Sequence, residues 1–242
     1  MRTLRAAITQ RTLCWHRIAV LKIRGRTPLC LLHIGKTGGT AIKYALSQLE
    51  EPKTFDIIFC DHNCILRDIP RGIPVVFFLR DPLSRFVSGF RSRQRKGRPR
   101  YNVPWTQDEE AAFAAFRSAR DLASSLSSAD RARKQQAKKA MRSIQHVRDV
   151  YGFWLESVDY LCSRSDDIYF VGFQENLNDD FRRLLSKLGA SLNIQLPSSN
   201  AEAHRNSYED DDRLTESDAR NIRHWYKDDY EIIDYLKRNN AG

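Results

Sequence analysis

The chain has 242 residues, 41% of them hydrophobic, and a net charge of +10, enough for one substantial core. No apolar run approaches the roughly 20 residues needed to cross a bilayer, so no segment is a candidate membrane-spanning helix. Five cysteines cannot all pair, and two sit in or beside expected core strands, which points to a reducing compartment and a cytoplasmic protein.

Residues 1–26 are basic and contain only the short apolar run Ile18-Ala19-Val20-Leu21, with neither a signal peptide nor an anchor evident. This segment is set apart from a single α/β domain over 27–242. It reads as a solvated or loosely docked helix, with peripheral contact to a membrane surface left open. Residues 29–40, Leu-Cys-Leu-Leu-His-Ile-Gly-Lys-Thr-Gly-Gly-Thr, then carry an apolar run into a glycine-rich turn. A buried strand would fix the turn, and Gly38 and Gly39 would let backbone N–H groups approach an anion. Lys36 would add a point charge, and the following helix its unpaired amides. Ile42, Ala45, Leu46 and Leu49 give that helix one apolar face. A Walker A loop needs glycine where this chain has Cys30, so the turn is a shorter phosphate cradle.

Asp56 to Phe59 predicts a short strand, followed by the polar turn Cys60-Asp61-His62-Asn63-Cys64. From its residues alone, His62 reads as a turn histidine bonded to backbone. A metal site of Cys60, His62 and Cys64 is not expected, because alternation in a strand-like segment points neighbouring side chains apart. Ile73 to Leu79 is a second continuous apolar run, as in a parallel strand covered on both faces. It stops at Arg80-Asp81-Pro82, with Pro82 suited to a helix first turn, and Leu83, Phe86, Val87 and Phe90 supply a helical face. Arg80 at the strand end and Ser88 on that helix suit a phosphate.

Two basic clusters follow, at Arg91, Arg93, Arg95, Lys96, Arg98 and Arg100, and at Arg131, Arg133, Lys134, Lys138 and Lys139. They favour an anionic partner, such as an acidic glycan, a lipid headgroup or a nucleotide-like acceptor. Residues 97–128 read as an insertion near the acceptor entrance, within a helical stretch of about 97–163. Asp167 to Phe173 predicts a fourth strand, and Glu175 with Asn176 begins a helix faced by Leu177, Phe181, Leu184, Leu185 and Leu188. A loop at 204–208 precedes one helix from about 215 to 238. Alternating strands and helices predict a mostly parallel central sheet flanked by helices.

His33-Ile34-Gly35-Lys36-Thr37-Gly38-Gly39-Thr40, with Phe78 to Phe90, resembles the sulfotransferases that use 3′-phosphoadenosine 5′-phosphosulfate. The likeness is strongest to the carbohydrate type that includes heparan-sulfate 2-O-sulfotransferases and their bacterial relatives. It covers roughly residues 28–190, and many members have proline where this chain has Gly35. The resemblance implies a P-loop-containing α/β fold and sulfuryl transfer to an acceptor hydroxyl, with no metal required. It assigns the 5′-phosphosulfate to Gly35, Lys36, Thr37, Gly38, Gly39 and Thr40, and the 3′-phosphate to Arg80 and Ser88. Lys36 would stabilise the leaving oxygen, and His62 lines up with the base that takes the hydroxyl proton. The loop residues Arg205, Ser207 and Tyr208 are candidates for nucleotide contact. Two other classes stay open: a small-molecule kinase, with Asp81 as a magnesium carboxylate, and a non-catalytic polyanion-binding module. For the latter, no nucleic-acid signature with interleaved aromatics is present.

Overall fold

The computed structural model describes residues 4–49, 54–99, 101–197 and 213–239. Four parallel strands, β1 (Pro28–Leu32), β2 (Asp56–Phe59), β3 (Val75–Leu79) and β4 (Ile168–Phe173), form one sheet in the order β2-β1-β3-β4. All five residues of β1 and of β3 are buried, as their unbroken apolar runs require of central strands. Cys30 of β1 is in register with Ile58 of β2 on one side and Val75 of β3 on the other.

The period of two along each strand builds two separate cores. Cys30, Leu32, Val75, Phe77, Leu79 and Val171 face one, while Leu29, Leu31, Val76, Phe78 and Phe170 face the other. The second is covered by α2 (Gly39–Leu46) through Ile42, Ala45 and Leu46, and by Phe181, Leu184 and Leu185 of α9 (Leu177–Lys187). Phe78 lies opposite Gly172 of β4, where a Cβ would meet the Phe78 ring at 2.2 Å. Only glycine leaves room for that ring.

The first core is covered by α1 (Leu4–Ile23), by α7 (Tyr151–Leu155), by α8 (Val158–Cys162) and by the last part of a C-terminal helix. The basic N-terminal segment therefore has a structural role. Cys14 and Ile18, four residues apart on one face of α1, are each 5% exposed in this core, and the Trp15 indole N–H donates to the Asp68 carbonyl at 3.0 Å. Arg164, 2% exposed, donates to the carbonyls of Leu66, Ile69 and Pro70 and pairs with Asp167. A buried guanidinium so placed satisfies the backbone of a whole turn.

Residue contacts divide the chain into two compact units. The first holds the described residues of Met1–Leu79, Tyr151–His204 and Glu231–Gly242, and the second those of Arg80–Val150 and Arg205–Tyr230. The second unit contains α3 (Pro82–Gln94), α4 (Gln107–Ala115), α5 (Ala119–Ser125), α6 (Arg131–Ser143) and α10 (Glu216–Trp225). Phe86, Phe90, Phe116, Leu122, Met141 and Ile222 are among its core residues. Each helix start is capped by a side chain: Asp81, Thr106, Ser118, Asp130 and Thr215, the residue types that satisfy first-turn N–H groups.

The single helix expected over 215–238 is two, α10 and α11 (Lys227–Asn239), separated at Tyr226. Tyr226 has φ −103° and ψ 30°. Its ring is 2% exposed and its hydroxyl donates to the Val147 carbonyl. Anchoring this side chain sets the break. The loop candidates Arg205, Ser207 and Tyr208 lie outside the described residues.

Candidate active site

The glycine-rich turn runs from the end of β1 to the start of α2, both in the first unit. Gly35 is buried. Lys36 follows it at φ +68°, a left-handed conformation that costs a residue with a Cβ roughly 1–2 kcal/mol. Gly38 is left-handed too, at φ +88°, and is the N-cap of α2 without any side-chain cap bond. The first-turn amides of α2 thus lack the side-chain acceptor that all five capped helices of the other unit have. Uncapped amides, the positive end of the helix dipole and a lysine in one turn suit an anion. The Thr37 side chain is buried and its hydroxyl donates to the Ile34 carbonyl at 3.0 Å, closing the turn from inside. Thr40 sits in the first turn of α2.

Two residues without an assigned role complete this corner of the first unit. The His33 ring, 8% exposed, lies against the ring of His62 with centroids 3.8 Å apart and planes tilted by 35°. Burial, followed by the nearby His62 and Lys43, pushes the His33 imidazole down to about 2, so it is neutral throughout the physiological range. Lys43 of α2 donates to the Cys60 carbonyl, and burial lowers its ammonium pKa. A small pocket is lined by Leu32, His33, Thr37, Gly39, Lys43 and Phe78, among others.

His62 itself lies on the exposed turn after β2. Asp61 shapes that turn by accepting from the Asn63 and Cys64 N–H groups at 2.8 and 3.2 Å. The His62 carbonyl accepts from the Trp154 indole at 3.0 Å. The expected polar turn is present over 61–64, so the strand-like alternation argued against a metal site does not hold there. Consequently the Sγ atoms of Cys60 and Cys64 come together, with that of Cys14, within 4.8 Å of one another.

Gly39 fixes the spacing between the loop and the paired histidines. A Cβ there would stand 2.4 Å from His33 Cδ2 and 2.5 Å from its Nε2. Gly39→Ala is expected to destabilise the fold by about 1–3 kcal/mol, as an overpacked site does. The double variant with His33→Ala should lose less than the sum of the two single losses, which a urea-denaturation double-mutant cycle measures.

The second expected phosphate motif belongs to the second unit. Arg80 follows β3 directly, and its Nε donates to Ser84 Oγ at 2.9 Å. Ser88 is 7% exposed and lies one turn beyond Ser84 on the same face of α3. Asp81 caps α3, its Oδ1 accepting from the Ser84 N–H at 3.0 Å, while its Oδ2 accepts from the Tyr230 hydroxyl at 3.1 Å. A carboxylate used in this way holds a helix start, and nothing about it favours a magnesium ligand.

The basic clusters are less available than their sequence implies. Arg93 is 3% exposed and paired with Glu109 at 2.6 Å. Lys96 lies over the Trp105 ring at 4.6 Å, and Arg133 pairs with Asp121 at 2.7 Å while covering Phe116. Arg131, Lys134 and Lys138 are exposed, and Arg100 lies outside the described residues.

His33 and Lys43 went unassigned because nothing local marks them. His33 stands inside the glycine motif and Lys43 one helical turn past Thr40, but their pairing with residues 60–62 comes from the β1–β2 register. Among the described residues, no helix is long and apolar enough to cross a membrane. A search of curated proteins found no match. A model of the sulfotransferase family matches residues 21–236, a span that takes in the glycine turn, the Arg80 segment and all four strands, and the chain belongs to that family.

Proposed function

We propose that the protein transfers a sulfuryl group from 3′-phosphoadenosine 5′-phosphosulfate to a hydroxyl of a carbohydrate or other anionic acceptor. Family membership supports sulfuryl transfer in general. The observation that carries the choice of donor is Lys36, held left-handed between a buried strand and an uncapped helix start. Backbone strain concentrates where a side chain has work to do.

In this reading the new bond forms between the acceptor oxygen and sulfur as the bond from sulfur to the 5′-phosphate oxygen breaks. Lys36 and the first-turn amides of α2 stabilise the charge that grows on the departing oxygen. His62 takes the acceptor hydroxyl proton. His33, neutral and packed against it, keeps that ring in place without adding a competing charge. Arg80 and Ser88 hold the 3′-phosphate, with Ser84 orienting the guanidinium. Gly35, Gly38 and Gly39 keep the turn open to the phosphosulfate, and Thr37 closes it internally. The five cysteines, an odd number that cannot all pair, support a reducing, cytoplasmic setting.

The test is mass spectrometry of a panel of glycans, lipid headgroups and small alcohols incubated with the sulfate donor. A sulfated product formed by the wild type and not by His62→Ala supports the reading. Turnover by His62→Ala at the wild-type rate removes His62 as the base.

A further inference from the structure

Four of the five cysteines, distant in sequence, meet in the first core. Cys14 comes from α1, Cys30 from β1, Cys60 from the residue after β2, and Cys64 from the turn beyond it. They are 5%, 0%, 5% and 2% exposed. The Sγ atoms of Cys14, Cys60 and Cys64 all lie within 4.8 Å of one another. Cys30 packs in the same core cluster, on the strand beside them. Zinc–sulfur bonds of about 2.3 Å in a tetrahedron set the sulfurs about 3.8 Å apart, so small side-chain movements bring these three sulfurs to ligand geometry. Cys60 and Cys64 also have the short spacing, three intervening residues, that structural zinc sites use for a ligand pair.

We propose that Cys14, Cys60 and Cys64, with Cys30 of the same core as the neighbouring fourth thiol, form a structural thiolate site for zinc. Zinc suits it because the donors are all soft sulfur and the enclosed position leaves no room for a substrate water. Lys43 donates to the Cys60 carbonyl, and Arg17 follows Cys14 by three residues on α1, so cations flank the negative charge that a metal–thiolate centre brings into an apolar core. The site would tie α1 to the edge of the sheet and clamp the turn from Cys60 to Cys64. At this level of burial the ion enters as the chain folds.

The experiment refolds the full chain from guanidinium under reducing conditions with Zn²⁺ or Co²⁺, removes excess metal by gel filtration, and measures metal content and the visible spectrum. About one ion per chain, with cobalt bands of tetrahedral thiolate ligation, is expected. Cys162→Ser, which changes the exposed fifth cysteine, should retain the ion, and Cys60→Ser/Cys64→Ser should lose it. Because that double variant can fail to fold, the wild type gives the independent reading. A folded wild type without metal, whose denatured chain alkylates at all five cysteines, overturns the proposal, since the thiols are then ordinary core residues. Fewer than five alkylated positions in metal-free protein overturns it in favour of a disulfide. None of these readouts requires sulfuryl transfer, so the metal site and the enzymatic reading can fail separately.

Discussion

Lys36→Ala is expected to lower sulfuryl transfer by roughly 10²-fold or more, the loss seen when a preorganised group is removed from a developing charge. The loss should fall on kcat and kcat/KM together, because in the proposed reaction Lys36 acts on an oxygen whose charge grows only as the bond to sulfur breaks. Lys36→Arg should not restore the rate. A planar guanidinium cannot replace a compact ammonium in a turn this short. Lys36→Gly separates chemistry from folding. It removes a left-handed penalty of roughly 1–2 kcal/mol and adds a glycine entropy cost of about 0.5–1 kcal/mol. That variant should match or slightly exceed wild-type stability in urea while losing the same activity. Wild-type turnover by Lys36→Ala or Lys36→Gly would end the assigned role.

The largest effect on stability is expected at Arg93. Its guanidinium forms two bonds to Glu109, Nε to Oε1 at 2.8 Å and Nη2 to Oε2 at 2.6 Å. It also donates to the carbonyls of Val103 and Pro104. Glu109 in turn accepts from the backbone N–H groups of Thr106 and Gln145, each at 3.0 Å. The pair therefore joins the end of α3, the start of α4 and the segment after α6, with both side chains almost wholly buried. Arg93→Ala leaves a buried carboxylate without its countercharge and should cost about 3–5 kcal/mol. Replacing both residues with apolar ones of similar volume should cost much less.

The same pair sets an acid limit. Burial alone would raise the Glu109 carboxyl, but Arg93 and the two backbone donors outweigh it and hold it at about 2, against an ordinary value of 4.5. A depressed carboxylate contributes its full stability above the unfolded value, and this is lost as pH falls from about 4.5 toward about 2. Urea denaturation at neutral pH and at pH about 3 should therefore show Arg93→Ala and the wild type drawing closer in acid. An unchanged gap would mean that Glu109 is not held by this pair.

The sheet was legible because buried parallel strands are written as continuous apolar runs. Ile73 to Leu79 and Asp167 to Phe173 contain β3 and β4 almost residue for residue. The glycine turn and the helix behind it were legible for a related reason: turn chemistry and a helical period are local. What escaped depends on partners far away in sequence. Glu109 marks the start of α4 in a Thr-x-x-Glu capping box, but nothing near it names Arg93, sixteen residues earlier, and Arg93 itself looks like one more charge in a solvated run. Cys14 looks like an isolated polar residue in a basic helix until the helix packs and brings it to Cys60 and Cys64. Tyr226 breaks the final helix through a bond to Val147, 79 residues away, and no glycine or proline signals it.

The central claim, that this fold binds a doubly phosphorylated sulfate donor, is tested most directly by thermal stability in the presence of 3′,5′-bisphosphoadenosine, ADP with Mg²⁺, or an oligonucleotide. Only the first should stabilise the protein. Arg80→Ala should weaken that response by about 10- to 100-fold in concentration, the worth of charge-assisted bonds to one phosphate. Stabilisation by Mg-ADP alone, or equal stabilisation by all three polyanions, would contradict the account.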